Sequence, residues 1–222
     1  MNVLIVHAHP EPASFNSAMT RLACETLRAA GHQVALSDLY AMQFHAASDR
    51  SNFATVQDPA YFKPQVEEAH ALEHAGFAPA LEAEMRKLEA CDLLILQFPL
   101  WWFGLPAILK GWVDRVFAQG RFYGGGRVYE TGVMRGRRAL LSFTTGGDAS
   151  RYTADGPHGD VITLLRPIQR GMLYFIGFDV LHPQIGWQAS RVSDAERAVM
   201  LQAWRARLDT VFDESPMPVG TF

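Results

Sequence analysis

Short apolar runs alternate along the chain with longer stretches in which apolar residues recur every three or four positions. Val3-Leu-Ile-Val6 is β-branched without polar alternation, the pattern of a strand buried on both faces of a parallel sheet. From Ser14 to Ala30, apolar residues fall at helical spacing (Ala18, Met19, Leu22, Ala23, Leu27, Ala30), behind Ser and Asn capping candidates and ahead of Gly31. Gln33 to Leu39 predicts a second strand, and Leu93-Leu-Ile-Leu96 a third that is apolar at every position. Pro106 suits a helix start, with Ile108, Leu109, Trp112, Val113, Val116 and Phe117 along one face. Ala139 to Phe143 predicts a fourth strand and Phe178 to Leu181 a candidate fifth. Roughly fifty residues, 41–90, separate the second and third strands; only 79–90 reads as helical, and so long an insertion usually covers a site or a subunit contact. Near the end, Ser193-Asp-Ala-Glu196 forms a capping box ahead of Val199, Ala203, Trp204, Leu208 and Phe212.

Strands separated by helices need long, right-handed crossovers, so the pattern predicts an α/β fold: a doubly wound, parallel five-stranded sheet with helices on both faces. Residues 1–222 read as one domain, with a C-terminal extension at about 183–222. The length in excess of such a sheet, in the insertion and the C-terminal helix and tail, is expected to serve a ligand and a subunit contact instead of the core.

Composition narrows the function. With 20 basic and 23 acidic side chains the net charge is −3, which argues against a nucleic-acid binder because phosphate neutralisation needs a basic face. The one basic run, Arg135-Gly-Arg-Arg138, reads as a solvated turn. Two scattered cysteines, Cys24 and Cys91, make neither a disulfide framework nor a CxxC site, and are expected to be buried thiols in a reducing, cytoplasmic setting. The N-terminus lacks a basic region ahead of its apolar run, and no apolar stretch approaches the ~20 residues of a membrane-spanning helix. The histidines show no metal-ligand spacing, so no metal is expected.

In open parallel sheets, ligands sit beyond the carboxyl ends of the strands. Three segments there have the wrong composition for mere connectors. After the first strand, His7-Ala-His-Pro-Glu-Pro-Ala-Ser-Phe-Asn16 places small and polar donors at a helix mouth, where free amides favour phosphate. It is neither GxGxxG nor GxxxxGK[ST] and reads equally well as a capped helix behind an ordinary loop. After the third strand, Phe98, Trp101, Trp102 and Phe103 offer an aromatic wall for a planar ligand, unless the core buries them. After the fourth, Thr144-Thr-Gly-Gly147 offers hydroxyls and close-approaching amides, or a plain turn. Together they describe a pocket suited to a flavin nucleotide.

Downstream lie Tyr152 and His158, a phenol donor and an imidazole able to take up charge when hydride reaches flavin N5. The alternative for a histidine in a Gly/Pro loop is a structural role. Arg197 stands in the first turn of the C-terminal helix, where a cation opposes the dipole; pairing with Asp194 or Glu196 is the simplest compensation, a bound anion the other.

At these loops the sequence resembles the NAD(P)H:quinone oxidoreductases, the DT-diaphorase type of flavodoxin-like flavoenzyme. The resemblance extends over nearly the whole chain and is carried by SFN at Ser14 to Asn16, SDLYAM at Ser37 to Met42, QFPLWWFGLPAILKGW at Gln97 to Trp112, and TTGG at Thr144 to Gly147. HGD at His158 to Asp160, PIQRG at Pro167 to Gly171 and VFDESP near the end complete it. It implies that His9, Phe15 and Asn16 hold the FAD pyrophosphate side, with Arg197 an added phosphate contact. It implies further that Leu100, Trp101, Trp102, Phe103 and Thr144, Thr145, Gly146 and Gly147 surround the isoalloxazine, and that Tyr152 and His158 are the catalytic pair. Trp102, Phe103, Tyr123 and His158 would meet the substrate, Tyr123 closing over it. The family's second tyrosine of that loop falls on Gly125, within Gly124-Gly-Gly126, which leaves a wider mouth.

The implied activity is two-electron, ping-pong transfer of hydride from NAD(P)H through flavin N5 to quinones, by a cytoplasmic homodimer with sites at its interface. The alternatives on the same fold are an FMN-dependent azo- or nitroreductase and a flavin-binding regulatory subunit of a membrane transporter.

Overall fold

The computed structural model describes residues 1–220. Strands β1 (Asn2–His7), β2 (Gln33–Asp38), β3 (Leu93–Pro99), β4 (Arg138–Thr144) and β5 (Asp179–Val180) pair in the order β2-β1-β3-β4-β5, all parallel. A sixth short strand, β6 (Gln184–Gly186), also pairs parallel with β4. The order reverses between β1 and β3, and the cleft beyond their carboxyl ends is the switch point of a doubly wound sheet.

The two-residue period of the strands divides the core. Leu4, Val6, Leu94, Leu96, Phe98, Leu141 and Phe143 face one side, where they meet helices α3 (Pro79–Ala90), α4 (Ala107–Val116) and α5 (Val161–Ile168). Val3, Ile5, Leu93, Ile95 and Leu140 face the other, under α1 (Phe15–Ala29) and α6 (Asp194–Leu208). Such double-sided burial explains why β1 and β3 read as continuous apolar runs.

Four expectations are corrected. The insertion carries a second helix, α2 (Pro64–His74), whose inward-facing residues are Glu67, Glu68 and Ala71. It is fastened to the body by Gly111 of α4, where an added Cβ would meet the Ala46 carbonyl oxygen at 2.1 Å. Ala71, Phe77, Leu81, Met85 and Leu88 of the insertion, and Trp204, Leu208 and Val211 of the C-terminal segment, belong to the core; Trp204 Nε1 donates to the Met19 carbonyl at 3.2 Å. The excess length is therefore partly core. The predicted fifth strand is split: Pro183 has no N–H to continue the ladder, and β5 and β6 share one position beside β4. Finally, the basic run is only partly solvated, because Arg137 hydrogen-bonds the Glu89 carbonyl at the end of α3 and Arg138 begins β4. Both cysteines are free and buried.

Candidate active site

The loops after β1, β3 and β4 converge on a cavity of about 1080 Å³ at the switch point. It is lined by His9, Phe15 and Asn16 from the first loop and α1, by Leu100, Trp101 and Trp102, and by Thr144, Thr145 and Gly146. Arg197, Ser190, Ala198 and Leu201 extend it along α6, a stretch that sequence reasoning had reached only at Arg197. Its size lies at the upper end of the ~300–1,000 Å³ usual for ligand pockets.

The α1 end of the cavity follows from helix capping. The Ser14 side chain accepts from the Ser17 amide at 3.1 Å, and the Ser14 carbonyl from Ala18 at 3.0 Å, so the Phe15 and Asn16 amides have no partner within the helix. His9 Nδ1 accepts the Glu11 amide at 3.0 Å, which leaves the ring proton on Nε2, and burial pulls its pKa below the ordinary value. A neutral donor therefore faces the cavity. Arg197 pairs with Asp194 at 2.6 Å and also donates to the Val192 and Ala189 carbonyls at 2.5 and 3.0 Å. The local pairing is thus present, and the guanidinium still lines the cavity.

Beneath lies a buried polar chain. Gln97, 1% exposed, donates to Asn16 Oδ1 at 2.8 Å, and Asn16 Nδ2 donates to Thr144 Oγ1 at 2.7 Å, tying together β3, α1 and β4. His7 sits between Ser17 Oγ and Thr20 Oγ1, at 3.1 and 2.9 Å, and burial brings its pKa down to about 4.

The aromatic wall differs from expectation in two members: Phe98 turns into the core, and Phe103 is not among the residues that line the cavity. Phe98 stacks on Phe143 in the core, ring centres 5.5 Å apart, because the β3 alternation turns it inward. Trp101 and Phe103 are half-exposed and Trp102 is 98% exposed. Trp102 and Phe103 also have φ of +51° and +59°, a region that bulky side chains avoid, so the loop backbone is strained.

Phe103, Gly147, Tyr152 and His158 stand together, following in the chain the segments 100–102 and 144–146 that line the cavity, but are not themselves among its lining residues. The rings of Tyr152 and His158 lie 4.9 Å apart, with Phe103 5.3 Å from His158 and Trp187 5.3 Å from Tyr152. A Cβ on Gly147 would come to 3.0 Å from Arg151 Cδ and 3.3 Å from Tyr152 Cε2, so Gly147 packs closely against both side chains. Burial raises the Tyr152 pKa, which keeps the phenol a donor. His158 Nε2 accepts from Arg151 Nε at 3.1 Å, placing the imidazole proton on Nδ1; neither Arg151 nor Trp187 carried a signal in the sequence.

Tyr123 is not brought to this cavity within one chain. It lines a second one, of about 550 Å³, with Tyr61, Lys63, Gln65 and Glu68, and packs against Phe175 at 5.7 Å. Gly124 and Gly125 follow at φ of +110° and +61°. Glu68 accepts the Gln119 amide at 2.8 Å at the root of this loop, and burial pushes its carboxyl up to about 7. Among the described residues, no three metal-ligating side chains gather and no helix is long and apolar enough to cross a membrane.

A strand-end cavity at the switch point, with an anion-binding helix mouth and an aromatic wall, defines a flavodoxin-like protein, and a family model of flavodoxin-like fold matches residues 1–208. The chain is 44% identical over 215 residues to NAD(P)H dehydrogenase (quinone) 1 of Rattus norvegicus, covering 96% of this chain and 78% of the relative. It is 44% identical over 217 residues to ribosyldihydronicotinamide dehydrogenase (quinone) of Homo sapiens, covering 97% and 94%. A candidate quinone reductase from Klebsiella pneumoniae superposes with a TM-score of 0.94 at 38% identity, over 98% of this chain and 87% of the other. The chain belongs to the NAD(P)H:quinone oxidoreductase family.

Proposed function

We propose that the protein is a cytoplasmic, FAD-dependent NAD(P)H:quinone oxidoreductase that works by two-electron, ping-pong hydride transfer as a homodimer. Family membership supports the activity. The observation that carries the choice of FAD is the continuation of the cavity from the strand ends, past α1 and along α6 to Ser190, Arg197 and Leu201. That length suits a dinucleotide better than a mononucleotide. When bound, FAD supplies the acceptance and return of a hydride.

The protein's own residues then divide the work. The Phe15 and Asn16 amides, the His9 Nε2 proton and the Arg197 guanidinium receive the phosphates. Leu100, Trp101, Trp102 and Phe103 wall the ring system and exclude water, while Thr144 to Gly147 present hydroxyls and amides at its edge. Tyr152 donates from its phenol and His158 from Nδ1 on the side where negative charge would gather. Two features favour a site completed by a second copy: Trp102 is almost fully exposed, and Tyr123, which should close over substrate, lines a different cavity of its own chain.

Denaturing the purified yellow protein and weighing the released flavin should give the mass of FAD; FMN would overturn the cofactor assignment. Double-reciprocal plots of NADH against quinone should be parallel. Flavin bound without turnover would favour the regulatory-subunit reading. Combining Tyr152→Phe with His158→Gln should slow single-turnover flavin reduction by about 10²-fold or more while FAD stays bound, and unchanged reduction would remove the role given to the pair.

A further inference from the structure

Arg151 stands beside the candidate catalytic pair and has no part in the chemistry described so far. Its stem lies against Gly147, its Nε donates to His158 Nε2 at 3.1 Å, and its carbonyl accepts the His158 amide at 3.0 Å. The guanidinium is thus fixed to the imidazole that meets Phe103 and Tyr152.

Its charge is only partly offset, by the neighbouring Asp148 carboxylate, with which it makes no direct ion pair. Among the described residues no carboxylate lies within ion-pairing distance of Arg151, whereas the other arginine near the cavity, Arg197, is held by Asp194 at 2.6 Å. The adjacent acid, Asp148, feels the Arg151 charge, but its carboxylate is hydrogen-bonded to Ser150, accepting the amide at 3.0 Å and also the hydroxyl. With Nε given to His158, both terminal amino groups remain for a ligand. A guanidinium is permanently charged, and its planar fork matches carboxylate and sulfonate geometry.

We propose that Arg151 is a specificity-determining residue that makes the site favour electron acceptors bearing a carboxylate or sulfonate beside the quinone ring over their neutral counterparts. The inference rests on the quinone-reductase reading and adds the chemical class of the acceptor. An acidic quinone stacked against Phe103 and touching His158 brings its anionic substituent within reach of the guanidinium, while a neutral one gains nothing from it. Because Arg151 is exposed, the preference is modest and weakens with salt.

The test compares kcat/KM for a naphthoquinone sulfonate and the matching neutral sulfonamide in the wild type, Arg151→Met and Arg151→Lys, each checked for full flavin content. The anionic-over-neutral ratio should fall about tenfold in Arg151→Met and less in Arg151→Lys, and added NaCl should lower it in the wild type and in Arg151→Lys but not in Arg151→Met. An unchanged ratio in Arg151→Met overturns the proposal; so does a change confined to the preference for NADPH over NADH, which would assign Arg151 to the donor's phosphate.

A second arm needs no turnover. Calorimetric titration of the holoprotein with naphthalene-2-sulfonate should show binding weakened about fivefold or more in Arg151→Met, with naphthalene-2-sulfonamide unaffected. Equal effects on both compounds, or on neither, overturn the assignment. Should no quinone be reduced at all, the quinone-reductase reading fails, and the calorimetry still decides whether Arg151 contacts anions.

Discussion

The floor and the mouth of the cavity are built on opposite principles. In the floor most polar groups find a partner inside the chain: Gln97, Asn16 and Thr144 form one buried string and His7 lies between two hydroxyls of α1, with the Ser142 hydroxyl beside Gln97 the buried exception. In the mouth Trp102 stands in solvent on a strained backbone, and among the described residues no acid makes a direct ion pair with Arg151. Closed networks make the floor a determinant of stability. The mouth leaves aromatic surface, strain and charge to be satisfied by a ligand or a second chain, so it should govern binding while contributing little to folding.

The strongest way to break this contrast is to cut the floor. Asn16→Ala strands the amide of Gln97 and the hydroxyl of Thr144 and should cost about 2–3 kcal/mol. Thermal unfolding should show a midpoint lowered by several degrees, at about 2–4 °C per kcal/mol for a chain of this size, with flavin content reduced. A loss no greater than that of a mouth variant would dissolve the distinction.

Next comes pH. For His7, brought from 6.5 to about 4, the unfolded chain binds more protons between those values, so its contribution to stability rises with pH across that window. For Glu68, pushed from 4.5 to about 7 at the root of the Tyr123 loop, the folded chain binds more protons, so its contribution falls as pH rises from 4.5 to 7. The two slopes oppose each other between pH 4.5 and 6.5 and amount to at most about 3 kcal/mol each. Urea midpoints of Glu68→Gln should therefore rise with pH across this range, and those of His7→Gln should fall. Parallel profiles in both variants would show that the two groups do not act separately.

The smallest effect belongs to the mouth. Trp102→Gly relieves the positive φ and should leave stability unchanged or raised by up to about 1 kcal/mol, while the KM for quinone rises several-fold. Destabilisation by more than 1 kcal/mol would mean that the mouth is part of the fold.

Much of this was legible in the chain. Strands β1, β3 and β4 announce themselves because burial on both faces makes their central residues a continuous apolar run, polar residues entering only toward the strand ends, and α1, α4 and α6 because one face must be apolar. Other elements hide. Helix α2 turns Glu67 and Glu68 inward, where the amides of Gln57, Asp58 and Gln119 satisfy them, so apolar periodicity could not reveal it. Helix α5 contains Pro167 and widens from Gln169 to Tyr174, which obscures its period. At the site, the composition of three loops was enough to indicate a planar, phosphate-bearing ligand, but not that Phe98 would leave the wall for the core.

The sequence by itself determined the doubly wound order of elements, the strand-end loops that carry chemistry and the family resemblance, because these depend on local periodicity and contiguous motifs. Only the tertiary structure decided that α6 belongs partly to the core, that Tyr123 lies apart from the cavity of its own chain, and that Arg151 reaches His158. Each depends on where side chains meet across long separations or around a turn. Packing and hydrogen bonding settle those meetings after the chain has folded, and no local pattern encodes them.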